Sequence, residues 1–581
     1  MNDLLEEEPS PTGGEAGIGA GRRRDLRAVL QPCLRIVLPT LIFGWYHSFQ
    51  YLNPLSAPRM MFGDDWTTYI VSPNFLRSSP LFTFPIGEVQ HYIAPIGTNL
   101  AHTDSFPVLV PFYRLLIAVF PNRPIQLVGL ALLLGVVLTF NALARFLDLV
   151  RCDGHWLWRE LTTLSIASIA VIAPFWNLQY NHPALMQAWI IVWALTGALR
   201  RCPSVLLGGL EPLSRKWTGL GPICAAAAIQ PYLIPMVLLP ALAPDVASFR
   251  SKPRWVALKC CVALGLVLLI SVSLGYVGSG GQLGSTGFGE YAADLSTMID
   301  PNDRSRFVTN LSSTPGSIGG YGYLGLGGLL LLAVAGYCFA RQRHLPETTR
   351  DGDHDRRPLR AVYIAVGLLT LYSVLPRVRI FGHEILNFES LTDHVSSLTS
   401  VFRVNGRYIW VVLWLVLLLA GAQLLRSRDR RFVIGVLTVS VGLQIADVIP
   451  FPRLFRPDAQ VEYGAATRRL RQEKQSGIAS IEFQPPLVIP GCYPSDYPSF
   501  ASLGDVILAA AVVGLPVNSG YTARLDPAFL EENCTDNARR FSDQDYRPDV
   551  LYVLPVARDV PPSLACTMIT SQLHACRSEQ S

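Results

Sequence analysis

Two adjacent aspartates, Asp64 and Asp65, stand in the stretch GDDWTTY with Trp66 and Tyr69 beside them, shortly after the first long apolar run of the chain. Carboxylates this close to a bilayer are costly unless they act as a base, hold a metal or meet a cation. The same region adds His91, Asn99, His102, Thr103 and Asp104. Asp64, His102 and Asp104 make a candidate metal set, although their spacing matches no specific ligand pattern. No cofactor is fixed by it; a divalent ion, Mg or Mn, is what such a set would admit. The plainer alternative for either aspartate is a helix cap or a turn, roles that Asp fills often.

Asn181 and His182 open what reads as a helix in NHPALMQAW, where a histidine serves either a substrate or its own neighbours. The segment FRVNGRYIW carries Arg403 and Arg407, four apart and therefore expected on one helical face at the start of a span. Guanidinium groups suit a phosphate or pyrophosphate lipid head, while ordinary headgroups or an internal ion pair remain the alternatives. In LQIADVIP, Gln444 and Asp447 stand three apart near the end of the last span, where Asp447 is placed to hold one of those arginines. The stretch from Gly278 to Phe307 is Gly-rich but lacks the Lys-Ser/Thr ending of a phosphate loop. It reads as a long loop that orders over substrate, with Arg304 and Arg306 as solvated charge.

The elements that must position these residues are membrane spans. Of 581 residues, 50% are hydrophobic and 16% charged, against roughly a quarter charged in a soluble domain. Apolar runs of about 17–25 residues recur, the length that crosses a bilayer as a helix. They predict an α-helical polytopic membrane protein with about eleven transmembrane helices (about ten to thirteen). The runs lie near 34–52, 125–147, 161–174, 184–199, 217–229, 231–244, 257–277, 319–340, 359–375, 408–425 and 432–449. The net charge of +5 sits mostly in short Arg-rich loops, so it reports orientation rather than nucleic-acid binding. Those loops fall on one side if the run 106–120, which holds Arg114, hugs the membrane instead of crossing it.

This topology predicts a disordered cytoplasmic tail over 1–30 and a transmembrane domain over 31–452 with large exoplasmic loops at 53–124, 278–318 and 376–407. A soluble exoplasmic α/β domain follows over 453–581, where a helix alternates with short strand-like runs. No A-x-A cleavage site follows the first run, so it reads as a signal anchor. The tail holds Cys492, Cys534, Cys566 and Cys576, whose three pairings the sequence leaves open. The other seven cysteines read as small apolar residues in or beside spans.

The chain resembles a bacterial multi-spanning family within the GT-C glycosyltransferase superfamily, distantly like protein mannosyltransferases and aminoarabinose transferase. The residues that carry the resemblance are Gly63–Asp64, PIGTN with HTDSFP, NHPALMQAW, GFGEYAADL with DP, YGYLGLG, FRVNGRYIW and LQIAD, in order from about residue 60 to 450. The resemblance implies a GT-C-like fold in the bacterial inner membrane and an inverting sugar transfer on the exoplasmic face. The donor would be a polyprenyl-phosphate sugar and the acceptor a glycan, lipid or protein of the cell envelope. It implies Asp64, with Asp65 beside it, as general base or metal ligand. It places donor and acceptor binding on His102, Asp104, His182, Arg403, Arg407, Gln444 and Asp447. Gln230 stands where a histidine is expected and Asp294 where an asparagine is expected. The rival readings are a flippase or transporter of lipid-linked saccharide, and a non-catalytic envelope assembly protein. Against transport, no internal repeat is visible and the polar clusters gather at one face.

Overall fold

Long runs of Leu, Val, Ala and Ile with few charges have one low-energy form inside a bilayer, the helix, because it satisfies every backbone donor and acceptor internally. The computed structural model describes residues 16–56, 67–103, 105–152, 155–202, 217–278, 288–312, 318–343, 356–390, 394, 399–427, 429–449, 463–486, 500–522, 531–556 and 558–578. Among them a helix stands at each expected apolar segment: Ala16–Tyr46, Val128–Leu149, Trp156–Ile172, Trp189–Leu199, Leu220–Ile229, Leu233–Val246, Pro253–Ser273, Leu326–Arg343, Arg357–Val374, Ile409–Leu425 and Arg430–Val448. Among the described residues five spans are long and apolar enough to cross a membrane: Ala28–Tyr46, Val128–Leu149, Pro253–Ser273, Asn405–Leu425 and Arg430–Val448. The other helices are shorter or less apolar. Gln230 is extended (φ −159°, ψ 126°) ahead of Pro231 and divides the two short helices on either side of it. A residue before proline is disfavoured in the helical region, so the break belongs to the sequence.

The run with Arg114 forms a helix over Val110–Val119. Ten residues give about 15 Å of rise, half of a hydrocarbon core about 30 Å thick.

Two groups of charges inside the bundle are paired. Arg35 donates to Asp148 (2.6 Å) and to Glu160 (2.6 and 2.8 Å), joining the first helix to Val128–Leu149 and Trp156–Ile172. Asp245 accepts from both Arg201 (2.5 Å) and Lys259 (2.9 Å).

Two small antiparallel hairpins lie in the connections: β1 (Glu88–Val89) with β2 (Thr98–Asn99), and β3 (Arg377–Ile380) with β4 (His383–Asn387). The tail forms a four-stranded sheet of β5 (Ser480–Phe483), β6 (Val550–Pro555), β7 (Leu564–Thr570) and β8 (Leu573–Ser578), in the order β5-β6-β8-β7. β5 and β6 run parallel, and the remaining pairs antiparallel. Helices Tyr463–Gln475 and Phe500–Val513 pack together beside it. Cys566 and Cys576, opposite each other in β7 and β8, form a disulfide, which settles one of the open pairings. Cys534 is also disulfide-bonded, and Cys492 lies outside the described residues. Among the membrane-portion cysteines, Cys33, Cys202, Cys224, Cys260, Cys261 and Cys338 are free thiols.

The tail sheet continues into the first large loop. Val517 bridges Ile481 of β5 on one side and Tyr92 on the other. Its N–H donates to the His91 carbonyl (2.9 Å), and its carbonyl accepts from Ala94 N–H (2.7 Å). The buried Tyr92 hydroxyl donates to the Tyr521 carbonyl (3.0 Å) and accepts from the Tyr521 N–H (2.8 Å). Gly520 packs on the Tyr92 ring so closely that a Cβ there would run into it.

Candidate active site

The segment FRVNGRYIW enters its span irregularly. Val404 sits at φ −85°, ψ 62°, between a short turn over Ser400–Phe402 and a second over Asn405–Tyr408. Arg403 and Arg407 therefore do not share a helical face, contrary to the expectation from their spacing. Arg403 lies against the ring of Tyr291 (5.9 Å), whereas Arg407 lies over Tyr232 (4.8 Å). Phe402 packs on Tyr232 and Tyr408, and Tyr408 packs on Tyr372.

Arg407 is 8% exposed, and its buried Nε has no hydrogen-bond partner. Among the described residues no carboxylate pairs with it. A ring face contributes about 0.5–2 kcal/mol to a cation, while burying an unpaired ion costs several. Desolvation wins, and the site as it stands favours an anion. Two neighbours are also unsatisfied: Asn405 Oδ1 and the Tyr408 hydroxyl are buried without partners. The other end of Asn405 is fully used, donating to the carbonyls of Tyr372 (2.8 Å) and Leu375 (2.6 Å).

Close backbone contacts fix this turn in place. Gly406 packs on the Tyr291 carbonyl and on Gly320, with no room for a Cβ. Thr297 Oγ1 donates to the Gly320 carbonyl (2.9 Å), and Trp410 Nε1 to the Tyr321 carbonyl (3.1 Å). Thus GFGEYAADL, YGYLGLG and FRVNGRYIW meet at one place.

Gln444 and Asp447 hold that junction from behind. Gln444 Nε2 donates to the Leu324 carbonyl (3.0 Å) and its Oε1 accepts from Gly328 N–H (3.0 Å). Asp447, fully buried, accepts from the Tyr323 hydroxyl (2.8 Å), Leu326 N–H (3.0 Å) and Ser305. The expectation that Asp447 holds an arginine side chain is corrected: its oxygens are taken by this loop. Arg306 reaches it only through a backbone N–H to the Asp447 carbonyl (3.0 Å). Asp294 likewise accepts from the N–H groups of Phe381 (3.1 Å) and Gly382 (2.8 Å), which fixes the β3–β4 turn. Gln230 is buried at the helix break beside Tyr232.

The first loop meets the bundle at His182. Its Nδ1 is 2.8 Å from the Tyr69 hydroxyl, so the residues that follow the aspartate pair are tied to NHPALMQAW. Ser72, Thr103 and Ser105 form a buried hydroxyl cluster at 2.9–3.2 Å. The backbone carbonyl of buried His102 accepts from Thr522 of the tail (2.8 Å). Arg77 secures the same loop by donating to the carbonyl of Pro121 (2.5 Å), and burial pulls its guanidinium down to about 10. Asp64, Asp65, Asp104 and residues 279–287 of the Gly-rich loop lie outside the described residues. Among the described residues no three His, Cys, Asp or Glu side chains converge as metal ligands, and of the candidate metal set only His102 is described.

The structure brings Tyr69 together with His182, whereas Arg403 and Arg407 lie on the different rings of Tyr291 and Tyr232. It places Gln444 and Asp447 behind the junction. The stacking of Arg407 on Tyr232, whose ring is in turn packed by Phe402, escaped the sequence reading, since Tyr232 and Arg407 lie about 170 residues apart.

A family model covers most of the membrane portion, residues 36–449, described as a domain of unknown function, DUF6311. The chain belongs to the DUF6311 family. A separate model, the DUF6311 C-terminal domain, matches residues 475–576 and so coincides with the tail sheet. No curated protein matches this DUF6311 chain. Solved structures with a similar course of chain include the arabinofuranosyltransferase AftD from Mycobacteria, at 12% identity and TM-score 0.49, covering 94% of this chain and 39% of that one. They also include the Archaeoglobus fulgidus oligosaccharyltransferase in complex with Zn and sulfate, at 12% identity and TM-score 0.38, covering 90% and 68%. A third is AglB from the same organism, with an inhibitory peptide and a dolichol-phosphate, at 11% identity and TM-score 0.35, covering 91% and 70%. The DUF6311 chain thus spans about two fifths of the length of AftD, and superpositions at these scores carry no argument about its activity.

Proposed function

We propose that this DUF6311 protein is a membrane glycosyltransferase that moves a sugar from a polyprenyl-phosphate donor to a cell-envelope acceptor. The observation that carries the reading is Arg407, a buried guanidinium with an unsatisfied Nε, no carboxylate partner among the described residues and an aromatic wall. A lipid phosphate entering laterally between helices would supply the missing anion, with a charge-assisted bond worth about twice a neutral one. The motif resemblance to the GT-C superfamily points to the same chemistry.

In this reading the acceptor hydroxyl attacks the anomeric carbon while Asp64, with Asp65 as its neighbour, takes the hydroxyl proton. The bond from that carbon to the phosphate oxygen breaks, and its electron pair leaves with polyprenyl phosphate. Arg407 and Arg403 stabilise the charge that grows on the leaving phosphate. Tyr69 and His182 hold the loop that bears the aspartates, and Gln444 and Asp447 position the turn that bears the arginines. The carboxylate as base carries the step, so none is routed through a metal.

The test is sugar transfer by the purified full-length protein in lipid nanodiscs, with a panel of radiolabelled polyprenyl-phosphate sugars and membrane extract as acceptor. Transfer that falls at least about 100-fold in Asp64→Asn, in protein that still elutes as wild type, supports the reading. No transfer from any donor, or full transfer in both Asp64→Asn and Asp65→Asn, sinks it. Movement of donor across the bilayer without transfer would move the assignment to a flippase.

A further inference from the structure

The most exposed large apolar side chains in the first loop form two surfaces that no described residue covers. One is the loop ahead of β1, where Phe82 is 89% exposed, Phe84 73% and Leu81 65%. The other is the short helix with the turn Pro107–Leu109 just ahead of it, where Val108, Phe112, Leu115 and Val119 are all exposed. Their spacing of four, three and four puts them on one face, opposite the buried Val110 and Tyr113.

Arg114 joins the two surfaces. Although it is the one charged residue of the helix, it turns inward and donates to the carbonyls of Pro80 (2.5 Å), Ser79 (3.4 Å) and Leu76 (3.5 Å). The cation that would keep this helix out of hydrocarbon is thereby used to clamp the helix to the loop. Neither apolar surface carries a charged group of its own.

Their height is fixed by neighbouring spans. Ile86 N–H donates to the carbonyl of Ser273 (2.9 Å), the last residue of the span Pro253–Ser273. The short helix ends at Val119, and the span Val128–Leu149 begins within the next nine residues. Asn74 Oδ1 accepts from Ile125 N–H (2.9 Å), which holds that link against the first loop. Both surfaces are therefore tied to places where spans end, and those spans carry exposed leucines of their own, such as Leu130 and Leu134 in one and Leu268 and Leu269 in the other.

We infer that loop 81–86 and helix Val110–Val119 form one wedge embedded in the acyl region of a single leaflet, so that the first loop is moored to the bilayer as well as to the bundle. The partner is the phospholipid leaflet itself. A soluble apolar ligand would not need two surfaces at the level of the span ends, and a chain that crossed would need about twice the helix length. This inference does not depend on the glycosyltransferase reading.

The test uses the full-length protein with p-benzoylphenylalanine in place of Phe82 or Phe112, reconstituted in phosphatidylcholine–phosphatidylglycerol vesicles with acyl-labelled phospholipid. Irradiation should give lipid adducts at both positions and none at Val556, an exposed apolar residue at the end of β6. A crosslinked dimer in place of lipid adducts would assign the face to a second copy and overturn the inference. Absence of lipid adducts at both positions would also overturn it. A second readout is Phe82→Trp with brominated phospholipids, where quenching should exceed that of the wild type. Equal quenching counts against the wedge.

Discussion

Arg35 and Arg407 are both buried arginines in the membrane portion, at 8% exposure each, yet they are handled in opposite ways. Arg35 is held by two carboxylates, Asp148 and Glu160, from neighbouring helices. Arg407 has a tyrosine face and an unsatisfied Nε. The first arrangement is closed: every strong acceptor it needs is supplied by the protein. The second is open: among the described residues no counter-charge is supplied to it. A buried charge marks a structural joint or a binding site according to whether its counter-charge lies in the same chain.

The largest expected effect tests the closed arginine. Arg35→Ala leaves Asp148 and Glu160 facing each other without their cation, a loss on the order of 3–5 kcal/mol. It should appear as a clear drop in thermal midpoint and in yield of detergent-solubilised protein. An unchanged midpoint would break the contrast from that side. Arg407→Gln should do the reverse: the midpoint stays or rises, because an unpaired charge is removed, while donor turnover falls on the order of 100-fold, about 2.7 kcal/mol. A destabilisation as large as that of Arg35→Ala would show Arg407 to be a structural joint after all.

Smaller is Tyr232→Leu, which removes the ring from Arg407. It should weaken donor binding by roughly 1 kcal/mol, several-fold in KM, with kcat little changed. An effect on kcat alone would place Tyr232 elsewhere in the cycle.

The least effect belongs to His91, a titratable version of the open case. Burial, followed by the nearby Lys474, holds its pKa below the ordinary 6.5. The fold thus prefers neutral His91, so its contribution is complete above about pH 6.5 and is lost as pH falls through the lowered folded value. Its carbonyl is part of the strand that pairs with Val517. Proteolysis of the junction between first loop and tail should therefore increase modestly with acid. His91→Gln should flatten that dependence, and an identical pH profile would assign it to other groups.

Much of the fold was legible because apolar length is a strong signal. Every long run became a helix, and even the weak pair around Gln230–Pro231 could be read from the proline. LGDVILAAAVVG and DVLYVLPV likewise fell on the helix Phe500–Val513 and the strand β6. The hairpin of β7 and β8 escaped, since its pattern is mixed: Met568 is exposed and Cys576 buried. The disulfide pairing needs that strand register and could not be read from spacing. Site residues were half legible. Arg403 and Arg407 stood out by type, but their shared face failed at Val404, where a backbone break carries no composition signal. Asp447 was noticed by its place in a span. Its real task depends on a loop more than 120 residues away in sequence. Spacing finds local geometry; it does not find which distant backbone a side chain will hold.

The strand shared by Tyr92 and Val517 has a consequence for biosynthesis. The Tyr92 hydroxyl and its Tyr521 partner are 429 positions apart. At roughly 5–20 residues per second, the ribosome makes the second about 20–90 s after the first. During that interval the edge formed by His91–Ala94 has no Val517 to pair with. A chain released before the tail is complete would keep that edge open, with the backbone groups of His91 and Ala94 lacking the partner that Val517 supplies.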